Sequence, residues 1–114
     1  MSMNPFLSNL VASGRFFTDG TTNGVGYFAR GCTVSRLGAP GTYAIVLDRQ
    51  VANDQCVILM NAETPDRNAK ATSLTVATRT IAVKTRSTAV PGDADSVVTF
   101  AVFQTAGGGG STGL

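Results

Sequence analysis

A chain of 114 residues with 43% hydrophobic content has the size and composition of one globular domain. It contains no His, no Trp, two Cys and a single Glu, Glu63, which excludes a Ser-His-Asp triad, His-based acid–base work and an ordinary structural zinc site. The net charge is only +2, the basic residues are scattered from Arg15 to Arg86, and no apolar run approaches the ~20 residues of a membrane span, so neither nucleic acid nor membrane is an expected partner.

The first elements are apolar. Residues 5–17 hold Phe6, Leu7, Leu10, Val11, Phe16 and Phe17 ahead of the turn signal Asp19-Gly20. This set reads as an N-terminal arm running into a first strand at 11–18. It either closes the chain's own core or reaches a neighbouring subunit, and these six residues are the candidates for partner contact. The opening Met1-Ser2-Met3-Asn4-Pro5 lacks a basic region followed by an apolar run, so no export signal is expected.

A second turn signal, Asn23-Gly24, introduces a strand predicted over 25–36. Gly24-Val25-Gly26 lacks the Lys and the spacing of a phosphate loop and reads as a turn. After Gly38-Ala39-Pro40-Gly41, Tyr43, Ile45 and Leu47 alternate with Thr42, Ala44 and Val46, which predicts a strand over 42–48 with Tyr43 in the core. Further strands are predicted at 55–61, 70–77, 80–86 and 96–104, separated by Thr64-Pro65-Asp66 and Pro91-Gly92-Asp93. Cys32 and Cys56 fall within such strands; in a reducing cytoplasm they are expected as buried, inert thiols. Lys70 and Lys84, the only Lys residues, sit among polar alternation and read as solvated. Asp93 and Asp95 follow Pro91-Gly92 as turn-forming Asp residues do, so the turn is favoured over a Ca²⁺ loop.

The last predicted strand is apolar on both faces, with Val97 and Phe103 on one and Val98, Phe100 and Val102 on the other. This suits either a central strand or a strand between subunits. The Gly107–Gly110 run, with Ser111, Thr112 and Gly113 after it, predicts a flexible tail. Thr, Val and Ile supply 30 of the 114 residues, which favours strands throughout. The expected fold is an all-β antiparallel β-sandwich of about seven strands, jelly-roll-like or Greek key. It divides into arm and first strand (1–18), sandwich (19–106) and tail (107–114). Charged residues make up 14% of the chain, against about 25% in ordinary soluble domains. Part of the surface is therefore expected to be covered by a partner, or else to be a neutral face of Thr and Ser.

Three segments, Gly24–Arg30, Gly41–Asp48 and Asp93–Phe103, resemble small β-sandwich domains in virion proteins of tailed bacteriophages. The resemblance runs from about Gly24 to Phe103 and rests on strand patterns and turns. It implies a noncatalytic, cofactor-free homotrimer on the virion that decorates and stabilises the shell of major capsid protein as a cement protein. The alternative it implies is a receptor-binding module of a tail fibre or spike that recognises a bacterial surface glycan. Coiled-coil heptads and repeats, which a fibre shaft would need, are missing from the sequence.

Overall fold

A computed structural model describes residues 9–18, 24–52 and 55–104. The expectations for Phe6, Leu7 and the tail at 107–114 lie outside the described residues. Eight strands form among these residues: β1 (Leu10–Thr18), β2 (Val25–Arg30), β3 (Cys32–Arg36), β4 (Thr42–Leu47), β5 (Cys56–Ala62), β6 (Arg67–Thr75), β7 (Thr80–Ser87) and β8 (Val98–Gln104). They make two four-stranded sheets, one ordered β2-β1-β8-β5 and the other β3-β4-β7-β6, with all pairings antiparallel. We call these sheet A and sheet B. The fold is all-β and sandwich-like, with one core between the sheets.

Period-two alternation builds that core. Phe16, Val98, Phe100 and Val102 point inward from sheet A, and Tyr43, Ile45, Leu47, Ile81 and Val83 from sheet B, all of them buried. Phe16 is the keystone: its ring lies 4.7 Å from that of Tyr43 across the core and 5.9 Å from that of Phe100 beside it. β8 runs between β1 and β5, so the strand with two apolar faces is a central strand of its own sheet.

The predicted strand at 25–36 is two strands, and this separation is what raises the number from seven to eight. The break is Gly31, with φ 76°; β2 lies before it in sheet A and β3 after it in sheet B. A Cβ at Gly31 would collide with the Val11 carbonyl, and the left-handed conformation is itself costly for a residue with a side chain. Gly31→Ala is therefore expected to lower stability by about 2 kcal/mol, read as a lower urea midpoint with an unchanged slope.

Candidate functional surfaces

The outward side of sheet A is apolar at its two edges and low in its middle. On edge strand β2, Phe28 is 73% exposed; on edge strand β5, Val57 and Leu59 are 44% and 55% exposed. Between them, register sets Arg30, Ser13, Ala101 and Leu59 in one cross-strand row, and Phe103 opposite Val57 in another. In the first row the small Ser13 and Ala101 thus lie between Arg30 and Leu59, while Phe28 shares its row with Arg15, Thr99 and Asn61. Two hollows result: one of about 440 Å³ lined by Ser13, Gly14, Phe28, Ala29 and Arg30, and one of about 300 Å³ lined by Leu59, Asn61, Thr99 and Ala101 among others. Phe17 packs its ring over Gly26, 6.2 Å from the ring of Phe28, with the Arg15 guanidinium 6.0 Å from the Phe17 centroid.

One polar row crosses this face. Glu63 accepts hydrogen bonds from Thr99 and, at 3.1 Å, from Arg15. These two donors, Thr99 first, hold its carboxyl below the usual range. An exposed pair of this kind contributes little stability.

The described partner-contact candidates divide between core and surface. Val11 and Phe16 are buried in the chain's own core, Leu10 is half-buried at the start of β1, and Phe17 is half-buried on the outward side of sheet A. Phe28, Val57 and Leu59 are not among the residues that sequence reasoning singles out. The signal for β5 is nonetheless present, because 56–60 is apolar at every position and so must be apolar on both faces.

A second constellation gathers at Asp95. Its Oδ1 accepts from the Tyr43 hydroxyl at 2.7 Å and the Gly41 amide at 2.8 Å, and its Oδ2 accepts from Arg36 Nη2 at 2.7 Å. Arg67 Nε donates to the Asp95 carbonyl at 3.0 Å. The neighbouring Ala94 is strapped to β7, with the fully buried Thr85 hydroxyl donating to the Ala94 carbonyl at 2.6 Å and the Ala94 amide donating to the Thr85 carbonyl. Burial pulls the Asp95 pKa up, but the Gly41 amide, the Tyr43 hydroxyl and Arg36 together outweigh it and leave it below the ordinary carboxylate value. Burial, with help from Asp95, pushes Tyr43 up to about 12. Every Asp95 oxygen thus has a donor, and the arrangement is a structural pin that ties β3, β4 and the 93–97 segment together.

The third constellation is on the outward side of sheet B. A cleft of about 400 Å³ is lined by Asn68, Lys70 and Thr72 of β6, Lys84 and Arg86 of β7, and Asp93. Asp93 accepts from Lys84 at 2.8 Å and lies 3.5 Å from Arg86, contacts that lower its pKa, Lys84 first among those acting downward.

Cys32 and Cys56 are free thiols, the first buried and the second half-buried. Burial first and Asp48 second push Cys32 up to about 11, so it stays protonated and unreactive. Among the described residues no group of three or more His, Cys, Asp or Glu is placed to hold a metal ion. No helix in these residues is long and apolar enough to cross a membrane. The chain matches no protein-family model, no curated protein and no solved structure.

Proposed function

We propose that this chain is a noncatalytic structural protein of a phage virion, a homotrimer that adheres to a shell of major capsid protein and stabilises it. The observation that carries the reading is the outward side of sheet A. Two edge strands raise Phe28, Val57 and Leu59 above a floor of Ser13, Thr99 and Ala101, and this relief accepts the side chains of another chain. Exposed apolar side chains at both edges of one sheet face, with hollows beside them, favour a contact surface. The resemblance of Gly24–Phe103 to phage virion sandwiches supplies the partner. We read β5–β8 as a Greek key spread over the two sheets: the chain leaves β5 in sheet A for β6 in sheet B, β6 pairs with β7, and β8 returns to sheet A to pair with β5.

Binding only to the assembled shell stabilises that shell by mass action. The test is co-sedimentation with isolated capsid shells, followed by thermal disruption of the loaded shells. Wild type is expected to pellet saturably and to raise the disruption temperature. Leu59→Lys, which changes an exposed position and leaves the fold intact, sets a charge in the apolar contact between copies; with the trimer lost, shell affinity is expected to fall at least about tenfold because single chains attach at one point instead of three. Wild type remaining wholly in the supernatant contradicts the reading.

A further inference from the structure

We infer that the cleft on the outward side of sheet B binds an acidic polysaccharide, a polyuronate or similar carboxylated glycan, as a function separate from adhesion through sheet A. Register places Lys70 of β6 directly opposite Lys84 of β7, and Asn68 directly opposite Arg86. Like charges in directly opposed positions destabilise a sheet. The fold gains nothing from this pair. Asp93 neutralises Lys84 and approaches Arg86, but among the described residues Lys70 has no ion-pair partner. Three cations therefore face one anion around a hollow of about 400 Å³. That volume is within the range of ligand sites. An incoming carboxylate beside Lys70 and Arg86 relieves the repulsion that the strand pairing creates.

The surroundings select the kind of anion. The cleft opens onto a sheet face of short side chains, where Thr42 precedes Lys84 and Lys70 in one cross-strand row and Ala44, Ala82 and Ser73 form the next. Within the paired strands these rows hold no large apolar or aromatic side chain, the kind that anchors protein interfaces; Leu37, 55% exposed, stands beyond them at the end of β3 next to Thr42. Hydroxyls and the Asn68 amide are what the face offers beside its cations. Sugar hydroxyls and a carboxylate on every residue of an extended glycan match both features. An acidic protein segment brings the charge and backbone amides but no array of hydroxyls along its length.

The test uses the full chain and calorimetric titration at low salt with oligogalacturonate, beside neutral dextran, dextran sulfate and poly-glutamate. Oligogalacturonate is expected to bind saturably, to weaken steeply as salt is raised, and to lose at least about tenfold in affinity in the Lys70→Glu/Arg86→Glu double variant. Circular dichroism and the mass in solution establish that this variant folds as wild type does. The conservative Lys70→Arg variant is expected to retain binding. Four results would overturn the inference: no heat with oligogalacturonate, equal binding by the folded double variant, poly-glutamate binding as tightly, or dextran sulfate binding as tightly. Because no residue of sheet A is changed, shell binding by the double variant stays as in wild type, so the two functions fail independently.

Discussion

Asp95→Ala is expected to lower the thermal midpoint by about 15 °C, from a loss of about 3 kcal/mol at roughly 5 °C per kcal/mol for a domain of this size. The reason is what the variant leaves behind. Tyr43 is fully buried and the Arg36 side chain is only 7% exposed, so removing the carboxylate takes the acceptor from a buried phenol hydroxyl and from the Gly41 amide, and the paired anion from a buried guanidinium. Removing the anion from a buried ion pair costs more than the pair was worth while intact. The Asp95 side chain keeps 30% of its exposure, and water entering the gap holds the loss near the lower end for such pairs. Tyr43→Phe, which removes one donor and no charge, is expected to cost about 1 kcal/mol. The pH dependence has a fixed sign. Asp95 has a depressed pKa in the folded chain, so its contribution is full above the unfolded value of about 4 and is lost as pH falls through the folded value. Thermal scans should therefore show wild type and Asp95→Ala far apart at neutral pH and converging in acid. A constant separation down to the lowest pH would show that the carboxylate charge is not what holds the pin.

Phe16→Ala is expected to cost about 4 kcal/mol, a third or more of the stability of an ordinary domain. Phe16 is fully buried, is contributed by an interior strand of sheet A, and touches rings from both sheets. Truncation leaves a cavity bounded by Tyr43 and Phe100, whose positions are fixed by strand pairing on either side and by the Asp95 hydrogen bond, so collapse is limited. Chemical denaturation should show the midpoint falling by about 2 M urea, with Phe16→Leu recovering most of the loss. A loss below about 1 kcal/mol would mean that the two sheets do not share this core.

Much of the fold is legible in the sequence because a half-buried strand must alternate. Tyr43, Ile45 and Leu47 face inward and Thr42 and Val46 do not, as the sequence pattern implies, and β1, β5 and β7 end within a residue or two of expectation. Two features depend on long-range geometry and are not legible. Gly31 within an apolar run reads as an ordinary strand glycine until β2 and β3 are seen in different sheets. Asp95 reads as a turn residue because its partners, Arg36 and Tyr43, lie 59 and 52 residues away along the chain. Phe16 and Phe17 illustrate a third limit. Density of apolar residues suggests an arm, whereas strand alternation sends Phe16 to the core and Phe17 to the outward side. The Lys70–Lys84 juxtaposition likewise needs the register of β6 on β7, which a bulge between Ala71 and Ser73 makes unreadable from spacing.

The contact role of sheet A is tested most directly by light-scattering mass in solution for wild type beside Leu59→Lys. Wild type is expected at a mass near three chains and the variant at one chain, with identical circular dichroism. A single-chain mass for wild type at high concentration, or an unchanged oligomer in the variant, would contradict it.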